Sequence, residues 1–174
     1  GRSPGRPGDL HCEVLEMDSR ALDGRAIRKQ VRVSFSADKA GPGMNILIYH
    51  PRSARPVPLF VGLNFQGNHT VHADPAIAIT ESWVRNRDGT TENRATEKGR
   101  GAAATRWDVD SILDRGYGLA TIYYGDIDPD FHDEFKKGKD IPCSSPIILI
   151  LNIYANKIII EFLTKALKPF DNPI

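Results

Sequence analysis

Two short, nearly all-apolar runs constrain this chain more than anything else in it: Leu59–Phe65 (LFVGLNF) and Gly118–Tyr124 (GLATIYY). A half-buried strand alternates apolar and polar residues, because successive side chains point to opposite faces. A run without alternation, and too short for a helix, is what a strand buried on both faces of a parallel sheet requires. Each run ends in a polar turn containing glycine, Gln66-Gly67-Asn68 and Gly125-Asp126. Parallel neighbours need a long connection. The residues between the runs supply one: a polar stretch, Thr80–Gly101, then Ala102–Arg115 with Trp107, Ile112 and Leu113 at helical spacing. Gly116 stands where such a helix stops.

Upstream the pattern changes. From Ala26 to Phe35, Ile27, Lys29, Val31, Val33 and Phe35 share one face and Arg28, Gln30 and Arg32 the other, with Lys29 the blemish. That period of two predicts a half-buried strand. Asp38–Gly43 is a turn, and Met44–Tyr49 a second strand, so the two form an antiparallel hairpin. Prolines at 51, 56 and 58 separate it from the first buried run. The resulting fold class is α/β, with an antiparallel edge hairpin leading into a parallel sheet. The Gly- and Pro-rich start predicts a flexible lead-in over 1–20, followed by one domain over 21–138.

Near residue 140 the composition breaks. Residues 1–140 hold 14 arginines and 8 isoleucines; residues 141–174 hold no arginine, no glycine and 9 isoleucines. Two readings stand. The segment is a real Ile-rich strand (Pro146–Ile153) and helix (Lys157–Leu167), or the frame or exon is wrong after about Lys139 and the 139–174 tail is not native.

Lys+Arg 23 against Asp+Glu 22 leaves a formal charge of +1, which argues against nucleic acid or anionic lipid as a partner. The longest apolar stretch is far short of the roughly 20 residues that span a bilayer, so no membrane partner is expected. Cys12 and Cys143 make at most one pair and form no disulfide framework. The first residues carry neither an initiator Met nor a signal-type apolar stretch.

Three ordered segments carry a resemblance: Pro58–Ile79 (PLFVGLNFQGNHTVHADPAIAI), Glu92–Trp107 (ENRATEKGRGAAATRW) and Arg115–Phe131 (RGYGLATIYYGDIDPDF). They are similar to the bacterial branch of the glucuronoyl esterases, with a looser likeness through Ala26–Tyr49, over roughly residues 20–138. The resemblance implies the N-terminal half of an α/β-hydrolase fold, incomplete here. It also implies a serine carbohydrate esterase acting on glucuronoyl esters of xylan-type cell-wall polysaccharide, or on acetyl esters, since many relatives carry the acetyl xylan esterase label. No metal or organic cofactor is implied. A secreted or periplasmic protein is expected, with a polysaccharide ester as partner and a C-terminal half needed to complete the fold.

Such enzymes place their nucleophile in an elbow of the form G-x-S-R-x-G-K, after the GDIDPDF segment. That elbow is absent, and Ser144 and Ser145 lie beside Cys143 and prolines. No catalytic residue is therefore assigned, and the chain is expected to be inactive. A non-catalytic remnant or carbohydrate-binding half-domain is the alternative. What this portion offers is the loop after the third strand, which in α/β-hydrolases often contributes an oxyanion N–H. Asn64, Gln66, Gly67, Asn68 and His69 are the residues there. They wall an ester cleft, or they form a structural turn whose amides satisfy neighbouring backbone.

Asp126, Asp128 and Asp130 alternate like the opening of a calcium loop, but Phe131 and Lys137 stand where glycine and glutamate are needed. Asp126 and Asp128 are instead carboxylates at the cleft edge, or members of a polar loop. His69, His72 and Asp74 lack the spacing of a zincin, which favours loop hydrogen bonding over a metal site. The run Glu92, Arg94, Glu97, Lys98 and Arg100 is a solvated face, or a network burying Arg94 or Arg106 against a carboxylate. Asn68-His69-Thr70 is a glycosylation sequon, and Trp107 is read as core.

Overall fold

The computed structural model describes residues 11–35, 43–53 and 55–127. The expected Ile-rich strand and helix of the tail, the carboxylates Asp128 and Asp130, and most of the Asp38–Gly43 turn lie outside the described residues.

Five strands make one sheet in the order β1-β2-β3-β7-β4: β1 His11–Ala21, β2 Ala26–Ser34, β3 Gly43–Pro51, β4 Leu59–Asn64 and β7 Gly118–Tyr123. Two-residue strands β5 (Thr90–Thr91) and β6 (Arg94–Ala95) form a separate small hairpin in the long connection. The β2–β3 pair is antiparallel, as its alternating pattern dictates, with Val31 opposite Ile46 and Val33 opposite Met44. β4 and β7 run parallel, Val61 opposite Ala120 and Leu63 opposite Ile122. All six residues of β7 are buried, as its unbroken apolar run requires.

Four expectations need correction. The lead-in gives way at His11 to an eleven-residue strand, β1. Its sequence, HCEVLEMDSRA, lacks clean alternation, because register shifts between Val14 and Glu16 and between Asp18 and Ala21 move its side chains out of phase. β4 is not buried on both faces: it is the sheet's edge among the described residues, with Phe60 53% and Leu63 45% exposed. β2 is not half-buried either. Its polar face is covered, so that Arg28, at 4% exposure, is among the buried residues. Finally, the helix expected over Ala102–Arg115 is two: α1 Ala104–Trp107 and α2 Val109–Asp114. They break at Asp108, which adopts φ 34° while its carboxylate accepts the Ser111 N–H, so an N-cap interrupts the spacing that suggested one helix.

The sheet carries an apolar cluster on each face. On one lie Val31, Val33, Met44, Ile46, Ile48, Ala120 and Ile122. On the other, Leu47, Tyr49 and Leu119 pack with Val71 and Ile77 of the connection and with Val109 and Leu113 of α2. Among the described residues no helix is long and apolar enough to cross a membrane.

Candidate functional site

The site is built at the carboxyl end of β4, where a parallel strand hands the chain to a loop and where ligands of α/β sheets bind. Asn64, the last residue of β4, is buried. Its Oδ1 accepts the Gly67 N–H at 2.8 Å and the Gln66 N–H at 3.3 Å, and its Nδ2 donates to Asn68 Oδ1 at 2.7 Å. Asn68 Oδ1 also accepts from Thr121 Oγ1 of β7 at 3.1 Å, and its Nδ2 donates to the Asn45 carbonyl of β3 at 3.0 Å. One side chain thus ties the turn to two neighbouring strands. The amides of Gln66 and Gly67 are consumed inside the turn, so the structural reading of this loop accounts for them.

Gly67 makes the turn possible. It sits at φ 99°, ψ 150°, a region open in practice only to glycine. A Cβ there would lie 2.8 Å from the His69 ring and 2.8 Å from Thr80 Cγ2. His69 itself is 1% exposed, and among the described residues its Nδ1 has no hydrogen-bond partner. Burial, then the nearby charge of Arg100, lowers its pKa from 6.5 to about 4, so the imidazole is neutral. The sequon is closed to modification in this fold, since the Asn68 amide is buried and bonded.

Beside the turn opens a cleft of about 420 Å³, lined among the described residues by the end of β4 and its turn (Leu63, Asn64, Phe65, Gln66, Thr70) and by the segment around α1 (Ala102, Ala103, Thr105, Arg106, Trp107). Arg106 faces this cleft and is exposed rather than buried against a carboxylate. Trp107 does two things. It packs with the cluster around α2, and its ring edge lies so close to Gly62 that a Cβ there would come within 2.9 Å of it. Reading it as core alone missed its place on the cleft wall.

The buried arginine is Arg28, not Arg94 or Arg106. Its guanidinium pairs with Asp74 and donates to both Glu16 oxygens, at 2.9 and 3.1 Å. Tyr49 OH donates to Asp74 at 2.6 Å. Burial pushes the Asp74 carboxyl up, but hydrogen bonds from Tyr49, the Ala76 N–H and Arg28 outweigh it and hold the group below the usual carboxylate range. Arg100 seals the same segment, donating to the carbonyls of Asp74 at 2.9 Å and Ile77 at 2.8 Å while pairing with Glu97. His72 Nδ1 accepts the Asp74 N–H, so His69, His72 and Asp74 do not converge. Among the described residues no group of three His, Cys, Asp or Glu is placed to hold a metal ion.

Asp126 is not among the residues lining this cleft; it lines a smaller cavity of about 40 Å³ with Asn68, Thr80 and Tyr123. Its Oδ2 accepts the Asn45 N–H at 2.9 Å and its Oδ1 accepts Ser82 Oγ at 2.7 Å, which ties the 80–82 segment to β3. Those bonds and its burial give the carboxylate a structural place in the fold. Asp128 lies outside the described residues.

Gly1-Arg2-Ser3-Pro4-Gly5 does spell G-x-S-x-G, so a serine framed by glycines exists. It precedes β1 and lies outside the described residues. The residue after an elbow serine must donate an oxyanion N–H, and Pro4 has none, so Ser3 is no better a nucleophile than the others.

Comparison with known proteins agrees with this architecture. Over 152 residues the chain is 51% identical to a carbohydrate esterase of an unknown prokaryotic organism, covering 79% of this chain and 35% of that protein. Among solved structures it is similar to a promiscuous CE15 esterase from a marine bacterial metagenome, at 50% identity and TM-score 0.68, over 75% of this chain and 33% of that one. It is also similar to a glucuronoyl esterase from Solibacter usitatus, at 44% identity and TM-score 0.66, over 76% and 33% of the two chains. The fold is the amino-terminal part of an α/β-hydrolase. The chain spans about a third of the length of the relatives it matches. No protein-family model matches the sequence.

Proposed function

We propose that residues 21–138 are the cleft-wall portion of a serine carbohydrate esterase that hydrolyses glucuronoyl esters of xylan-type polysaccharide, and that residues 139–174 lie outside that portion. The observation carrying this reading is the Asn64–His69 turn at the carboxyl end of a parallel strand, beside an open cleft, in a segment similar to esterases over three quarters of the chain. Acyl transfer needs a serine, a base that takes its proton and donors for the oxyanion. This chain brings the scaffold for the cleft and no serine in a usable elbow. Alone, the chain is expected to show no turnover. It is a wall without a nucleophile.

A chimera tests this. Residues 1–127 are joined to the remainder of the marine CE15 esterase and assayed on a benzyl ester of glucuronate and on an acetyl ester, beside the 174-residue chain. The expected result is glucuronate-ester hydrolysis by the chimera, abolished by a serine-directed inhibitor, and none by the chain. A chimera that folds but cleaves only the acetyl ester rejects the glucuronoyl reading, and turnover by the pure chain rejects its assignment as nucleophile-free.

A further inference from the structure

A directed run of buried hydrogen bonds joins the turn at the end of β4 to the interior of the sheet. Asn64, Asn68 and Thr121 are all buried. Asn68 Nδ2 donates to the Asn45 carbonyl of β3 at 3.0 Å, while Asn68 Oδ1 accepts Asn64 Nδ2 at 2.7 Å and Thr121 Oγ1 at 3.1 Å. Asn64 Oδ1 in turn accepts the Gly67 N–H at 2.8 Å. The order is forced from both ends. A backbone carbonyl can only accept, so Asn68 turns its NH2 toward Asn45; a backbone N–H can only donate, so Asn64 turns its oxygen toward Gly67. The two amides then meet donor to acceptor. Asn45 is itself held, because its N–H donates to the buried Asp126 carboxylate at 2.9 Å. Asn64 and Gln66 line the cleft, whereas Asn68 lines the smaller cavity with Asn45 and Asp126.

We propose that Asn68 is a positioning residue for the esterase reaction: its amide aligns Asn64, and Asn64 aligns the 66–67 backbone of the cleft wall. This rests on the esterase reading and deepens it, giving a part in turnover to a side chain that touches no substrate. A misplacement of about 1 Å around a reacting centre costs on the order of a hundredfold in rate, so a change in this alignment reads out in kcat. Aspartate at position 68 keeps the shape and the acceptor for Asn64 and Thr121. Ionised, it sets an oxygen against the Asn45 carbonyl; protonated, its O–H donates there again. Burial and the charge of Asp126 on the same small cavity raise the introduced carboxyl. His69 beside it, lowered to about 4, brings no charge at neutral pH.

The test uses the chimera, with kcat counted per active site titrated by a serine-directed inhibitor, so that unfolded molecules drop out. Asn68→Asp is expected to lower kcat at about pH 8 by about tenfold or more, with KM within about threefold of the parent. The ratio of variant to parent kcat then rises as the pH falls to about 5.5. Asn68→Leu, of similar shape but with no proton to regain, lowers kcat with a ratio that stays flat in pH. Thr121→Val removes one of the two donors to Asn68 Oδ1 and gives a smaller fall, about twofold to fivefold. Asn68 variants with the parent's kcat per titrated site, and only a lower urea midpoint, overturn the inference and leave a structural tie. So does a loss that is equal for Asp and Leu at every pH. If neither Asn68 variant folds, Thr121→Val decides, and the parent's kcat in that variant overturns the inference. In all of these the esterase reading survives. A parent chimera that folds without turnover on either ester removes that reading, and this inference with it, before any variant is compared.

Discussion

The two sides of the sheet differ in how far they satisfy themselves. On the antiparallel side, β1, β2 and β3 lock a connecting segment onto the sheet through Arg28, Gln30 and Tyr49: Gln30 alone accepts the Ala78 N–H at 2.7 Å and donates to the Ala76 carbonyl at 2.9 Å. On the parallel side, among the described residues, β4 bonds to β7 only, and Phe60, Val61, Leu63 and Phe65 are exposed, with Phe60 leaning on Tyr117 and Phe65 on Tyr124. Apolar side chains on an edge strand invite further strands or a partner. Among the described residues the cleft thus lies on the side with the unpaired edge, while the antiparallel side fixes the 74–78 segment.

Mutations can break that contrast. The largest effect is expected from Arg28→Ala, which leaves Asp74 and Glu16 without their shared cation. Removing one partner of a buried ion pair costs about 3–5 kcal/mol, so urea unfolding should show the midpoint collapse. A loss below roughly 1 kcal/mol, the scale of exposed pairs, would mean the antiparallel side is no more closed than the other. Next is Gly67→Ala: the backbone region costs about 1–3 kcal/mol for a side chain, and the clash with His69 adds to it. Gly62→Ala comes third, at about 1–3 kcal/mol for overpacking against Trp107, together with a changed tryptophan emission. That second readout separates a moved cleft wall from simple destabilisation.

A smaller effect depends on pH. His69 titrates near 4 in the fold and near 6.5 when unfolded. Above 6.5 both states are neutral and nothing is lost. As pH falls from 6.5 to about 4 the unfolded chain takes up a proton that the folded chain refuses, so stability drops across that window and levels off below it. His69→Gln should flatten this slope. His50, also lowered by burial, leaves a residual slope of the same sign. A slope unchanged by the substitution would mean that His69 is solvated. The smallest effect is Lys98→Ala, at the exposed pair with Asp88, where no measurable change in unfolding midpoint is expected.

The sequence made the parallel pair and the hairpin legible, because an unbroken apolar run and a clean period of two are backbone geometry written in side chains. It hid β1, whose register shifts scramble the alternation, and it hid the break at Asp108, where one capping carboxylate outweighs helical spacing. The turn at Asn64–His69 was visible as a glycine between polar residues. Which of its amides remain free was not, since Asn64 Oδ1 claims them only once the strand has ended. The burial of Arg28 was likewise invisible, because its partners lie on β1 and 46 residues further on at Asp74. For Arg106 the sequence offers burial against a carboxylate as one alternative; the fold leaves it exposed on the cleft lining.

The most direct test of the account is a crystal structure of the chimera carrying a serine-reactive glucuronate phosphonate. The expected result is a sugar in van der Waals contact with Trp107 and within hydrogen-bonding reach of Gln66. An adduct whose sugar contacts neither, lying away from the carboxyl end of β4, would contradict the assignment of this cleft to the ester.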